Sequence, residues 1–451
     1  MKKIFLGVIL SICVSSFSIA QGGNSSQVYD LQTCVDIALE NNLTLRRTEL
    51  NQGTIEADLL TNQGRRLPSL IAFGSSGYRW GRSINPVTNL FETRRIGNIN
   101  TQVNSNMPIF NGFQINNTIA QARKNLESGQ YTLAAAQNDI TLNVINLFID
   151  VVFNREQVKI AENQLKTTTD QFSRIKSLVD AGSLPISNQL DLQSQNATNQ
   201  VNLINARNGL RLAKLALAQA MVIPFTNDFD VIEPEFEVSQ AVLASDDPSE
   251  IYEIAVNILP QIKAAQANVE SAEYSVKVAK GAFYPSIGAN VAIFSNYVDQ
   301  AFLAGTTEII PFPTQIENNL SQSGNLQLTI PIFSNFSNKA NLQRARVQKR
   351  LAEVAEEEAK NTLRQQIETA YTQALAAEQS YEASLIQVKS LEETFRMAQQ
   401  QFGLGAINSV DFQVAQNNLF NSQANLINAK YSYIFRVKVL DFYFGNPINL
   451  N

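Results

Sequence analysis

The chain carries one pattern twice, and this duplication constrains the fold more than any other feature. Met107-Pro108-Ile109-Phe110-Asn111-Gly112-Phe113 returns as Ile330-Pro331-Ile332-Phe333-Ser334-Asn335-Phe336, and Ala122-Arg123 returns as Ala345-Arg346. Leu203-Ile204-Asn205-Ala206-Arg207 returns as Leu426-Ile427-Asn428-Ala429-Lys430. All three pairs share one offset, 223 residues, the distance from Met107 to Ile330, and it also carries Gly182 onto Gly405. Earlier in each half Pro68-Ser69 pairs with Pro285-Ser286. A repeat at fixed period means one structural unit used twice, here residues 21–222 and 249–451. The segment between them, 223–248, holds Pro224, Pro234, Asp246 and Asp247 and has no period, so it reads as a connector. Phe225, Phe229, Ile232 and Phe236 make it too apolar for a free linker and predict that it packs on helices; the plainer reading is a surface loop.

Within each half the hydrophobic period marks long helices. From Leu351 the apolar residues run Ala355, Ala359, Leu363, Ile367, Ala370, Ala374, Ala377, Tyr381, Leu385, Val388, Leu391, Phe395, Ala398 and Phe402, each three or four after the last. A mean spacing of about 3.6 belongs to a nearly straight helix. With no proline from Ser337 to Phe402, a helix on the order of 100 Å long is allowed. Ile119, Ala122, Leu126, Gly129, Leu133, Ala136, Ile140, Val144, Leu147 and Val151 repeat the stripe. Long helices are therefore expected over 114–180 and 337–402. Each ends at a glycine turn, Val179-Asp180-Ala181-Gly182-Ser183-Leu184-Pro185 and Phe402-Gly403-Leu404-Gly405-Ala406-Ile407, before return helices over 186–220 and 408–441. Glycine can take the left-handed C-cap conformation, and Ser187 or Asn188 and Asn408 or Ser409 are expected to cap the return helices. Shorter helices are expected over 31–66 and 249–281.

Between the short and long helices the period falls to two. Ile99, Thr101, Val103, Ser105 and Met107 alternate with Asn98, Asn100, Gln102, Asn104 and Asn106, and Leu326, Leu328 and Ile330 alternate with Asn325, Gln327 and Thr329. Strands are expected over 70–80, 98–107, 286–297 and 320–330, joined by polar or proline-containing loops around Arg82 to Arg95 and Asp299 to Asn318. Ten residues of strand tilted near 40° cover about 25 Å, the apolar band of an outer membrane, and apolar-out, polar-in alternation suits lipid on one side and water on the other. A soluble hairpin would also alternate. Two related hairpins with Tyr78, Trp80, Tyr284, Phe110 and Phe333 near strand ends favour the membrane. Four strands cannot close a barrel, and an open edge in lipid is forbidden. Two chains would give eight strands and a barrel filled by its own side chains. A trimer with twelve is the smallest assembly that leaves a pore.

The N-terminus is expected to carry the chain out of the cytoplasm. Met1, Lys2 and Lys3, an apolar stretch from Ile4 to Val14 and small residues to Ala20 form a signal peptide over 1–20, cut between Ala20 and Gln21. A lipoprotein signal ending at Cys13 is the weaker alternative, since Ile12 stands where a small residue is wanted. Removal of the signal leaves Cys34 as the lone cysteine and no internal disulfide. The chain has no histidine and a net charge of -5, so neither histidine-based catalysis nor nucleic-acid binding is suggested. Only 17% of residues are charged, against about a quarter in an ordinary domain, and the polar remainder is rich in Asn and Gln. After the signal no stretch reaches the roughly 18 apolar residues of a membrane-spanning helix. No nucleophile constellation, phosphate loop or metal-ligand cluster is present, so no enzyme activity, cofactor or metal is expected.

Over its whole mature length the chain resembles the TolC-like outer-membrane efflux proteins. The resemblance is carried by the duplicated Pro-Ile-Phe motifs at Pro108, Phe110, Pro331 and Phe333, by the Phe402-to-Ile407 turn, and by the paired Leu-Ile-Asn-Ala-Arg and Leu-Ile-Asn-Ala-Lys. It implies a homotrimer in the outer membrane of a Gram-negative bacterium, mainly α with membrane β. A twelve-stranded β-barrel would continue into a twelve-helix periplasmic α-barrel that docks onto a periplasmic adaptor and an inner-membrane transporter. It also implies that Gly182, Ser183, Leu184, Pro185, Gly403, Leu404, Gly405 and Ala406 are docking tips; the same glycines are accounted for as plain helix C-caps. Some relatives close the entrance with aspartates just after the second tip, where this chain has Ser409, Asp411 and Phe412. Asp411 and Asp191 are the acidic candidates for a gate, and a solvated carboxylate favoured by the helix dipole is the alternative. The expected function is a passive export duct driven by a partner pump. A periplasmic coiled-coil scaffold would explain the helices but not the alternating strands.

Overall fold

In the computed structural model residues 28–84, 89–232, 247–303 and 306–445 are described. The signal peptide expected over 1–20 lies outside them, as do Pro234, Phe236 and Asp246 of the connector. The first half runs β1 (Val28–Tyr29), α1 (Leu31–Asn41), α2 (Leu43–Gly64), β2 (Ser69–Ile84), β3 (Phe91–Asn111), α3 (Gln114–Asp180) and α4 (Ile186–Ala220), with β4 (Asp230–Val231) after it. The second runs α5 (Pro248–Ile258), α6 (Pro260–Gly281), β5 (Ser286–Val298), α7 (Phe312–Asn318), β6 (Ser321–Thr329), α8 (Ser337–Gly403) and α9 (Ser409–Tyr443). α3 and α8 are both 67 residues, and α4 and α9 both 35.

The single short helices expected over 31–66 and 249–281 are each two helices. Asn42 leaves the helix with ψ 117, and its side chain accepts hydrogen bonds from the Thr44 and Leu45 amides, so it caps α2. In the second half Pro260 clashes with a helical conformation at the preceding residue, and Leu259 sits at ψ 132. α1 and α5 thus become separate lugs packed on the middles of α3 and α8. The loop expected around Asp299 to Asn318 also contains an unforeseen helix, α7. β2 and β3 run past 70–80 and 98–107 because their pairing persists from Ser69↔Asn106 to Ile84↔Phe91.

Two apolar cores form where those lugs meet the long helices. Cys34, Val35 and Ala38 of α1 pack with Val144, Phe148 and Val152 of α3, Leu217 of α4, and Phe229 and Val231. Ile251, Ala255 and Ile262 pack with Leu363, Ile367 and Ala374 of α8 and Val437 and Leu440 of α9. The described end of the connector joins the first core: β4 pairs in parallel with β1, and Asp230 receives Arg155 and Lys214 (3.1 Å). Burial raises the Asp230 carboxyl, but the Val231 amide, Lys214 and Arg155 outweigh it and hold the group below its ordinary value.

β2, β3, β5 and β6 form one antiparallel sheet in the order β2-β3-β5-β6. Its outer strands, β2 and β6, have free edges. Around α3 the helices are arranged so that α6 lies between α3 and α8 near the sheet, and α9 lies between α3 and α8 farther away. Lys124 of α3 reaches Glu270 of α6 at 2.7 Å, and Lys349 of α8 reaches Glu273 of α6 at 2.8 Å, stitching the three together.

Candidate channel wall and helical tips

Register assigns each strand residue to a face, because directly opposed residues in an antiparallel pair point the same way. One face carries Leu70, Ile99, Val103, Met107, Val291, Ile293, Leu326 and Leu328. The other carries Asn98, Asn100, Gln102, Asn104, Asn106, Asn290, Asn296, Asn325 and Gln327. On the amide face Asn290 donates to the Asn106 side chain at 2.7 Å and Asn100 donates to Ser75 Oγ at 3.4 Å. The polar lining is uncharged through most of its height, with Ile71, Phe73 and Phe294 set into it. Such a surface is wetted by water and presents donors and acceptors to solutes of either sign.

The strand-to-helix junctions are conformationally strained. Pro108 and Phe110 lie in β3, where the register with β5 shifts at a bulge, whereas Pro331 and Phe333 lie beyond the end of β6. The aromatics that start the helices, Phe113 and Phe336, both adopt left-handed conformations with φ 63 and 61, which cost on the order of 1 kcal/mol for a side-chain-bearing residue. Each is braced edge-on by the earlier phenylalanine of its motif, Phe110 at 5.2 Å and Phe333 at 5.5 Å between ring centres. The motif is legible in the sequence but the strain is not, its one trace being the recurrence of Gly112-Phe113 as Asn335-Phe336.

At the opposite end both long helices close with the same two-bond turn. Gly182 (φ +72) and Gly405 (φ +71) hold the left-handed position. The Ser183 amide reaches the Leu178 carbonyl and the Ala406 amide the Gln401 carbonyl, both at 2.8 Å. Gly403 is still helical. Leu404 is 86% exposed while Leu184 is half-buried, so the tips differ in what they present. Asn408 caps α9 by accepting from the Asp411 amide at 2.8 Å. The cap expected from Ser187 or Asn188 is absent: α4 starts at Ile186 behind Pro185, whose side chain makes no capping bond. Arg174 of α3 donates to the Gly403 carbonyl at 3.5 Å, a long contact that spans the two tips.

Asp191 and Asp411 are both exposed, on α4 and α9, and the structure does not join them to each other or to a cation among the described residues. Phe412, next to Asp411 in α9, is fully buried instead, stacked on Phe402 at 4.8 Å and tilted against Phe395 at 5.6 Å. Above the tips buried amides are set among the apolar contacts of Ile175, Leu192 and Phe412. Thr168 of α3, fully buried, accepts from Asn199 of α4 at 2.7 Å and from Gln416 of α9 at 3.4 Å. Gln171 Oε1 and Gln413 Nε2 are buried nearby in sequence without partners.

Among the described residues no group of three or more metal-ligand side chains occurs, and no helix is long and apolar enough to cross a membrane. Cys34 lies in the first core, and burial, with Asp30 adding to it, pushes its thiol up to about 12.

The model of the outer membrane efflux protein family matches residues 34–221 and 252–446. Outer membrane efflux protein BepC of Brucella suis biovar 1 (strain 1330) is 22% identical over 361 residues, covering 80% of this chain and 74% of BepC. Cation efflux system protein CusC of Escherichia coli (strain K12) is 23% identical over 426 residues, covering 89% of this chain and 83% of CusC. The MtrE outer membrane channel of Neisseria gonorrhoeae, solved in its open state, superposes with a TM-score of 0.77 at 18% identity, over 93% of this chain and 90% of that one.

Proposed function

Because the chain belongs to the outer membrane efflux protein family, matched in both of its halves, we propose that it is the passive exit duct of an export system, assembled as a homotrimer. The observation that carries this reading is a four-stranded sheet with two free edges, apolar on one face and lined with amides on the other. That sheet is continuous with two helical hairpins on the order of 100 Å long. In lipid the free edges of β2 and β6 require partners, and a second and third copy supply them, closing twelve strands around a wet lumen. The helices continue the wall into the periplasm. α4 leaves Ile186, Leu190, Val201, Ile204 and Leu212 exposed, and α8 leaves Val347, Leu351 and Val354. At 3.6 residues per turn each set falls in one stripe, suited to a neighbouring protomer.

The chain supplies a path, and the driving energy comes from an inner-membrane transporter through a periplasmic adaptor. The adaptor meets the tips, Gly182, Ser183, Leu184 and Pro185 on one hairpin and Gly403, Leu404, Gly405 and Ala406 on the other, with exposed Leu404 as the leading contact. Asp191 and Asp411 stand just beyond the tips and are the acidic residues that would ring the entrance. No cargo is encoded in a wall of neutral amides.

Purified protein in planar lipid is expected to show discrete conductance and to run as a heat-sensitive trimer. Monomeric protein with no conductance would sink the duct reading. Photocrosslinkers at Leu404 and Leu184 should capture an adaptor in cells; equal capture from mid-helix positions would refute docking at the tips.

A further inference from the structure

The outward rim of the sheet carries guanidinium groups on its apolar face, at a height that defines a ligand. Leu70, Tyr78, Trp80 and Arg82 of β2 share that face with Val103 and Arg95 of β3. At about 3.3 Å per residue and a tilt near 40°, the ten steps from Leu70 to Trp80 climb about 25 Å, the thickness of the apolar band. Tyr78 and the 71%-exposed Trp80 therefore stand at its outer boundary. Arg95 lies directly opposite Trp80, and Arg82 is one pleat farther out.

Both arginines lie over aromatic rings. Arg82 Cζ is 4.9 Å from the centre of Phe91, and Arg95 Cζ is 4.5 Å from the centre of Tyr78. Stacking occupies the guanidinium face and leaves the N–H edge free for an oxyanion. As diagonal cross-strand neighbours the two Cα positions are roughly 7 Å apart, close enough for both side chains to reach one tetrahedral anion. Asp299 stands at the edge of ion-pair range of Arg95, 3.9 Å, and its other oxygen is held by the Gly97 amide at 2.7 Å. Glu92, opposite Ser83, faces the lumen side.

We infer that Arg82 and Arg95 bind a phosphate ester on a glycolipid of the outer leaflet, with its sugar against Trp80 and its acyl chains running inward over Ile99, four strand steps below on the same face. Bidentate guanidinium-to-phosphate bonding suits that headgroup, and a site at the boundary of the apolar band is reached by a lipid phosphate without removing it from its own layer. The assignment rests on the outer-membrane barrel reading, and its failure is separable from failure of that reading.

The test uses the wild-type trimer in nanodiscs, titrated with phosphorylated lipid A, with dephosphorylated lipid A and with inorganic phosphate, and read by native mass spectrometry. One phosphorylated lipid per protomer is expected, with the dephosphorylated lipid bound at least about tenfold more weakly, a difference one charge-assisted contact supplies. Arg82→Gln with Arg95→Gln should lose the lipid while Arg65→Gln with Arg66→Gln, at the opposite end of β2, keeps it. Should the glutamine pair fail to assemble, Arg82→Lys with Arg95→Lys preserves the charge and should bind detectably but more weakly. Equal binding of the two lipids, or equally tight binding of inorganic phosphate, overturns the inference. Conductance of the same wild-type preparation shows whether the barrel itself is intact.

Discussion

Gly112 fixes how the two halves meet. It has φ +63, and a Cβ there would stand 2.3 Å from the Gly281 carbonyl oxygen and 2.9 Å from Tyr284 Cβ, so the end of α6 passes directly against the start of α3. Gly405 has the same left-handed backbone but open space around it. Gly405→Ala is expected to cost only the conformational preference, about 1 kcal/mol, seen as faster hydrogen exchange at the Ala406 amide with the protein's heat stability unchanged. Gly112→Ala adds a clash with backbone and should lower that heat stability sharply; equal effects of the two substitutions would contradict the close approach. Thr168→Val keeps shape but removes the acceptor shared by Asn199 and Gln416, and stranding buried amides costs about 1–3 kcal/mol, measurable as loss of exchange protection in the lower parts of α3, α4 and α9. Asp230 gives a pH signature. Its depressed folded value means the stabilisation is fully present above the unfolded value near 3.8 and is lost as pH falls through the folded value. The melting gap between wild type and Asp230→Asn should therefore be open at pH 7 and shrink below about pH 4. The glycine turns were legible in the sequence because positive φ is a local demand. Phe113, Phe336 and the Thr168 contact were not: an aromatic in a left-handed conformation is held there by tertiary packing, and Asn and Gln on a helix read as solvent-facing until a third helix covers them.

Among elements, the unequal edge strands matter most. β2 has 16 residues and β6 only nine, so the last part of β5 lacks a strand on its β6 side. α7 fills that place with side chains. Gln315, almost fully buried, accepts from the Val298 amide at 3.0 Å and donates to the Val298 and Ile310 carbonyls, and Asn319 donates to the Asn296 carbonyl at 2.7 Å. Gln315→Leu retains bulk but leaves those backbone groups unpaired, and a loss of about 1–3 kcal/mol is expected locally. Proteolysis between Asp299 and Leu320 should speed up several-fold while channel conductance persists; unchanged cleavage would show that the side-chain bridge is dispensable. The long helices are the most legible elements, since an unbroken stripe, absent proline and a glycine stop carry their ends at Asp180 and Gly403. The breaks at Asn42 and Leu259 are less legible, because the apolar period runs through both and the deciding events are a side-chain cap and a proline clash. α7 escapes because seven residues in a proline-containing loop show no period.

At the scale of the whole molecule, the duplication does more than predict that copies associate; it predicts in which register. β3 of the first half pairs with β5 of the second, with Met107 opposite Ala289. The strand-to-helix units repeat at 223 residues, Gln114 to Ser337, while the strands that precede them repeat at 217, Ser69 to Ser286. Carrying the internal pair across by those offsets sets Ile330 of one protomer opposite Ala72 of the partner subunit, and, stepping along, Gln327 opposite Ser75 of the partner subunit. A one-residue error would turn one strand's apolar residues into the lumen. The transposed register instead keeps Leu328 with Gly74 and Leu326 with Ser76 on the apolar face and Gln327 with Ser75 on the amide face, as their pairings within the chain require. A chain bearing Ser75→Cys and Gln327→Cys should therefore form protomer-to-protomer disulfides on oxidation, giving covalent multimers on denaturing gels, since facing residues on adjacent strands meet the Cα separation a disulfide needs. Ser75→Cys with Leu326→Cys, one residue away and on the opposite face, should remain monomeric under denaturation. Cys34 will not compete, being fully buried with its thiol pushed up to about 12. Efficient crosslinking of the shifted pair instead of the predicted one would mean that the junction between protomers does not copy the junction between halves.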